Sequence, residues 1–359
     1  MILCANIGFN SNLPAWMFHA QTPPPTYAFN PDVPGITWVD LVFPFFLFAM
    51  GAAIPLSLRK RLDKGERPHA LIPVLLKRWL ILALFAIVLG NAYSAPGVLS
   101  QPWLSGIFKI MVWAGMFLSL VRTKYPLINI SGVALILLIG VAMVKWAGFV
   151  PDKSNSDIII LILANIALWG GLIWIFTRNN ILARWMVFLF IAAVKGVSSY
   201  WPDMLSFIPS TASVGWLFQW SFMQYLLIAI TGSVVGDMVL AHSRSDKKEP
   251  VADKEVYAGF IALAAVVLQL WGLFARKVTA DFIISLFAAV VYFALTFKSR
   301  SVTVKMAKMG FLLLLVGIAF DPIDGGITKD YANLSYLITT SGMATLFISF
   351  LLMLEMRFG

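Results

Sequence analysis

Cysteine, histidine and acidic side chains are all scarce in this chain: one Cys, three His and 17 Asp plus Glu among 359 residues. The lone Cys4 excludes an intramolecular disulfide and any cysteine-based metal site. Charged residues make up 12% of the chain, where a soluble domain carries about a quarter. Soluble-enzyme signatures are missing too. There is no G-x-G-x-x-G after a strand, no phosphate-binding loop, no H-E-x-x-H and no nucleophile elbow. No internal repeat stands out, which counts against a carrier, because repeats are common in secondary transporters. The N-terminus has neither a basic n-region nor an A-x-A site, so no cleavable signal peptide is expected.

What the chain does have is apolar length. Hydrophobic residues form 60% of it, and its mean hydropathy is +0.85. Runs of about 18 apolar residues, enough to cross a bilayer, recur from end to end. The expected fold is all-α: a polytopic membrane helix bundle of about 11–12 transmembrane helices, forming a single domain over 1–359. Spans are expected at 38–58, 71–94, 103–121, 126–150, 158–177, 181–200, 216–241, 256–275, 279–297, 309–321 and 334–354. A weak, partial span near 1–13, interrupted by Asn6, Asn10 and Asn12, reads as a truncated first helix.

The net charge of +10 invites a nucleic-acid reading, but the basic residues form no single patch. Seventeen lie in alternate loops and at the C-terminus, from the run Arg59, Lys60, Arg61, Lys64 and Arg67 to Arg357. The opposite loops hold only Lys153, Arg276, Lys277 and Lys329. By the positive-inside rule the first set is cytoplasmic, as is the C-terminus. The outer face then owns His19, Asp40, the Asn91 end of its span and the loop that starts at Asp321.

That sorting separates the histidines. His69 and His242 fall among cytoplasmic basic residues and read as solvated loop side chains. His19 lies on the outer face beside a loop stiffened by Pro23, Pro24, Pro25, Pro31 and Pro34. Proline restricts the backbone to extended forms, so His19 is a candidate preorganised base. Asp40 opens the span that follows. It suits a helix N-terminus and also suits orienting an imidazole.

Charges within spans mark function or a buried pair. Lys77 and Arg78 sit near a cytoplasmic end, where snorkelling explains them. The alternative is that they bind the phosphates of a nucleotide-bearing cofactor. Lys109, Lys145 and Lys195 have no assigned role. Asp237 follows Gly232 and Gly236, a small-xxx-small pair that implies close helix packing. Asp321 and Asp324 have turn chemistry; Asp321 is also a candidate substrate-binding carboxylate. Trp16, Trp38, Trp103, Trp201 and Trp216 fit an interfacial aromatic belt. Trp38 and Tyr27 flank His19 and Asp40, and their rings suit a sugar.

The stretch "HAQTPPPT…FNPDVPGITWVDLVFPFFLFAMGAAIPLSL" resembles the opening of the heparan-α-glucosaminide N-acetyltransferase family, in particular its bacterial relatives of unassigned function. "YLLIAITGSVVGD" and "DPIDGGITKDYANLSYLITTSGMA" resemble later blocks of the same group. The resemblance implies a transmembrane acetyltransferase of a bacterial inner membrane. Acetyl-CoA would serve as co-substrate from the cytoplasm, and an amino-sugar or oligosaccharide acceptor would be used outside. The family's catalytic histidine falls at His19 and its aspartate at Asp40. Relatives open with a basic segment and a full first span; here either the start lies too far downstream or the first span is truncated. Asn91, at the outer end of its span, is a candidate oxyanion donor. His19 is read either as a carrier of the acetyl group or as a general base. The implied partners are the acceptor and the lipid bilayer, without nucleic acid; a homodimer is open. Two other functions remain: a transporter for sugars or envelope fragments, and an O-acetyltransferase of an envelope polysaccharide.

Overall fold

The computed structural model describes residues 13–94, 101–146, 154–200, 215–244 and 251–358. Within them are eleven helices long and apolar enough to cross a membrane, and no strand. The chain is a multi-pass helical membrane protein. The expected partial span near 1–13 lies outside the described residues, Leu13 apart.

The long helices are α1 (Val42–Leu62), α2 (Ile72–Ser94), α3 (Pro102–Leu120), α4 (Pro126–Trp146), α5 (Ile158–Thr177) and α6 (Ile181–Tyr200). They continue with α7 (Leu226–Ser243), α8 (Asp253–Phe274), α9 (Val278–Leu295), α10 (Val302–Phe320) and α11 (Leu334–Phe358). Two boundaries differ from expectation. The span read as 216–241 is broken: a 3-10 turn at Gly215–Phe218 and a single turn at Trp220–Met223 precede α7. Polar Gln219 and Gln224 fall at the breaks, where their backbone carbonyls accept turn hydrogen bonds from Phe222 and Leu227. The span read from 309 starts at Val302, so Lys305 and Lys308 are helical. Lys308 stays in the helix by donating to the Thr296 carbonyl at 3.0 Å while lying over the Phe293 ring. A long cationic side chain covers apolar surface in this way and still places its charge on a polar partner.

The chain divides into two compact units. One is built from residues 1–61, 176–201 and 224–359, and so holds α1 and α6 to α11. Within it α1 and α7 touch backbone to backbone. A Cβ on Gly232 would fall against the Phe48 carbonyl, and one on Gly236 against the Ala52 carbonyl. This is the close packing that the small-xxx-small spacing implies. Gly232→Val is therefore expected to cost about 1–3 kcal/mol through overpacking, read as a lower melting temperature in detergent. α10 and α11 are packed as tightly, through Gly310, Gly317 and Gly342. α11 is buried on every side from Leu334 to Leu346, and its Thr340, Ser341 and Thr345 hydroxyls donate to carbonyls one turn back in the helix, which satisfies them in the core.

The other unit, residues 62–175 and 202–223, holds α2 to α4 and most of α5. Its core joins Phe85, Val88 and Leu89 to Val112, Ile136 and Met143. Asn129 on α4 donates its side-chain amide to the carbonyls of Leu118, Ser119 and Val121. Those groups end α3 and would otherwise lack partners. Ile110, Phe117, Leu127 and Leu138 face outward, as lipid contact allows.

Candidate functional site

The proline-rich loop before α1 is held by its own side chains. The buried Gln21 side chain donates to the Val33 and Gly35 carbonyls at 3.0 and 3.3 Å, and its backbone carbonyl accepts from the Asn30 N–H at 2.8 Å. The Thr37 hydroxyl lies 2.8 Å from the Phe18 carbonyl. Phe18 and Ala20 are buried, which leaves the intervening His19 part-exposed, its side chain at 39%.

Asp40 lies in a 3-10 turn, Val39–Leu41, that leads into α1. It is fully buried and its carboxylate is a hub. Oδ1 lies 2.5 Å from His19 Nδ1. Oδ2 accepts from the backbone N–H groups of Ala20 at 3.2 Å and Thr37 at 3.0 Å. The Asp40 backbone carbonyl accepts from the Tyr336 hydroxyl at 2.9 Å. The carboxylate thus reaches back to the loop instead of capping the helix that it opens. Hydrogen bonding to an ionised acceptor fixes His19 as the tautomer that carries its proton on Nδ1. Nε2 then keeps its lone pair, and it has no hydrogen-bond partner among the described residues.

A third group joins from the far end of the chain. Lys329 Nζ lies 3.2 Å from His19 Nδ1 and 3.7 Å from Asp40 Oδ1. Sequence reading placed it only as an outer-loop cation; it stands 310 residues from His19, and no local spacing signals the meeting. The loop that carries it is tightly scaffolded. Arg276 grips both oxygens of Asp321, at 3.0 and 3.1 Å, and Ile327 N–H donates to Oδ1 at 2.7 Å. The Ile327 carbonyl accepts from Gly35 N–H at 2.8 Å, tying this loop to the one before α1. Asp321 therefore orders the loop, and its oxygens are already engaged where a sugar was expected. Asp324 accepts from Ser335 N–H at the start of α11. Tyr331 donates its hydroxyl to Asp32 at 2.7 Å, a bond that holds the phenol above its ordinary range, so it stays a donor. Lys329→Met is expected to lower stability by about 1–3 kcal/mol, since it removes the cation beside the buried carboxylate, and Lys329→Arg should restore part of the loss, as read by thermal unfolding in detergent.

The other expected residues divide. Trp38 is half-buried with its indole N–H shielded and unpartnered. Tyr27 packs edge-on against Phe18 at 5.0 Å, which places its ring beside the residue that precedes His19. Lys77 is exposed and Arg78 half-buried on α2, in the second unit. Asn91 is on α2, but its side chain lies outside the described residues.

The first unit also holds a cationic cleft that sequence reading did not assemble. Arg59, Arg178, Arg184 and Arg244 line it with Asp237, around a volume of about 650 Å³. Arg184, only 1% exposed, donates to Asp237 at 2.6 Å, to the Ser233 carbonyl at 3.3 Å and to the Thr177 hydroxyl at 3.1 Å. The available signal was opposite charges near the same ends of two spans, Arg184 and Asp237. Asp40 precedes α1 and Arg59 closes it. Nineteen residues separate them, roughly 28 Å of helix at 1.5 Å each, close to a hydrocarbon core of about 30 Å.

No curated protein and no solved structure matches the chain. Residues 1–239, more than half of the chain and inclusive of His19, Asp40, Arg184 and Asp237, match the family described as "Domain of unknown function (DUF5009)", and the protein belongs to that family.

Proposed function

We propose that the protein is a bacterial inner-membrane acetyltransferase. It takes the acetyl group of cytoplasmic acetyl-CoA and passes it to the amino group of a glucosamine-type sugar at the outer face. The observation that carries this reading is the imidazole of His19: its Nδ1 is fixed by a buried carboxylate, its Nε2 is open, and an ammonium group lies beside the pair.

An amine attacks a thioester only when deprotonated, and a fixed imidazole lone pair meets that need. The amine nitrogen bonds to the acetyl carbon, and Nε2 accepts its proton. The carbon–sulfur bond then breaks, and the departing thiolate takes a proton. Asp40 stabilises the imidazolium that forms between these steps. At the opposite end of the unit the arginine cleft suits phosphate groups, because guanidinium binds them with paired donors. It replaces Lys77 and Arg78 as the preferred phosphate site, since its cations converge on one cavity. Gly232, one residue before the Ser233 that Arg184 bonds, packs against Phe48 and Ala52 of α1. The Arg184 guanidinium therefore stands about 12–18 Å along the helix axis from Asp40, a span for the long thioester arm to cover. The distribution of basic residues between alternate loops supports a cytoplasmic cleft and an outer His19.

The test is transfer of labelled acetyl from acetyl-CoA to glucosamine by the full chain in detergent. His19→Ala is expected to lose about 10²–10⁴-fold in turnover. Label retained on the protein when acceptor is withheld would identify an acetyl-histidine route. Unchanged turnover in His19→Ala, or no binding of acetyl-CoA, would sink the proposal. Acetyl-independent uptake of an amino sugar into proteoliposomes would replace it with a transporter.

A further inference from the structure

The hairpin of α8 and α9, in the first unit, buries a carboxylate that no cation among the described residues meets. Only Ala275, Arg276 and Lys277 join the two helices. Asp281, in the first turn of α9, is 2% exposed, and Gln269 and Ser285 are each 1% exposed. Gln269 donates its side-chain amide to the Asp281 backbone carbonyl at 3.3 Å and to the Ser285 hydroxyl at 2.8 Å. Two acceptors are left over: Gln269 Oε1 and Asp281 Oδ2 have no hydrogen-bond partner in the protein. A Cβ on Gly272 would fall on the Asp281 carboxylate, so the acid lies against the α8 backbone, in a notch that only glycine leaves open.

The charged groups of the neighbouring elements are engaged or distant. Arg276 grips Asp321 at the near end of α10, and Lys277 lies over the Trp271 ring at 5.0 Å. On α8 the nearest charge is Glu255, fourteen residues from Gln269, or about 21 Å. On α9 Asp281 is the only charged residue, and Tyr292 stands eleven residues beyond it. Lys305 and Lys308 lie at the far end of α10, and Glu355 and Arg357 at the far end of α11. The N-terminus of α9 favours an acid but gives Oδ2 no donor. A water molecule donates hydrogen bonds but brings no charge. Ile283 and Phe287 face outward from the same hairpin, and a lone buried carboxylate beside lipid is costly.

We propose that Asp281 and Gln269 bind one small monovalent cation, a proton or a sodium ion, between α8 and α9. The positive charge neutralises the carboxylate and is shared with Gln269 Oε1. A proton turns Oδ2 into a donor; a sodium ion takes both oxygens as ligands. The site lies beside the loops around His19. A Cβ on Gly35 would meet the Leu273 carbonyl near the end of α8 at 3.0 Å, and Arg276 orders the loop that carries Lys329. The cation therefore pins the hairpin against which both loops pack. Nothing in the site depends on the acetyltransferase reading, and its test needs no acetyl-CoA.

The test uses the full chain in detergent at neutral pH and constant ionic strength, with choline replacing sodium in the comparison. Infrared difference spectra of the wild type against Asp281→Asn report a protonated carboxyl, and equilibrium binding of radiolabelled sodium reports the metal ion. One cation per chain is expected. A carboxylic-acid band that is lost in Asp281→Asn and indifferent to sodium assigns the proton. One sodium ion bound per chain, with binding at least tenfold weaker in Asp281→Asn, assigns the metal ion. Gln269→Leu removes the second oxygen and serves should the first variant fail to fold: it should shift the band, or weaken sodium binding at least tenfold. A wild type that shows no such band and binds no sodium would overturn the proposal, leaving an ionised acid met by water alone.

Discussion

Asp40→Asn is expected to lower acetyl transfer by about 10²–10⁴-fold with the protein still folded. The substitution keeps shape but turns an acceptor into a mixed group. The carboxylate now accepts at Oδ1 from His19 and at Oδ2 from two backbone N–H groups. An asparagine can offer its oxygen to one side only. If that oxygen faces the Ala20 and Thr37 N–H groups, its NH₂ faces His19 and forces Nδ1 to act as acceptor. The proton then moves to Nε2, and the attacking amine loses its base. Asp40→Ala should instead damage the fold, because two buried donors lose their acceptor at about 1–3 kcal/mol each. Kinetics and a melting curve on the two variants separate the roles. An Asn variant with wild-type turnover would show that the tautomer of His19 does not matter.

Asp237→Leu is expected to destabilise the protein by about 3–5 kcal/mol, because it leaves a buried guanidinium without its counter-ion. Arg184 is 1% exposed whereas Asp237 is 30% exposed. The acid can therefore be lost to water more cheaply than the base can be left alone in the helix bundle. The double variant Arg184→Met with Asp237→Leu should recover much of the loss, since two apolar side chains restore packing without an unpaired charge. Thermal unfolding in detergent of the wild type, both single variants and the double variant closes the cycle. Additive losses would mean that the pair is not coupled. Affinity for acetyl-CoA is expected to fall in Arg184→Met, which removes a guanidinium from the cleft.

Much of the architecture was legible because bilayer physics writes long, simple signals. A span needs about twenty apolar residues, and eleven such helices are present where apolar runs were read. The spacing of Gly232 and Gly236 announced the contact with α1 because only small residues allow that approach. Legibility failed where polar residues interrupt or extend a run. The break at Gln219 and Gln224 and the early start of α10 at Val302 depend on which carbonyl a turn or a lysine finds in three dimensions. The same limit governs the site. His19 and Asp40 were readable together, because a short stiff loop joins them. Lys329 was not, since its place depends on how α10 and α11 are packed and on Arg276 holding Asp321. Asp321 was legible as a turn former, but its grip by Arg276 was not.

The meeting of His19, Asp40 and Lys329 also sets an order of events during synthesis. His19 and Asp40 leave the ribosome with α1. Lys329 and the hydroxyl of Tyr336 follow some three hundred residues later, with the last helix pair. Until that pair inserts, the carboxylate at the head of α1 has its backbone donors and the imidazole but no ammonium beside it. A product that stops before α11 therefore carries an unfinished outer mouth on an otherwise inserted bundle.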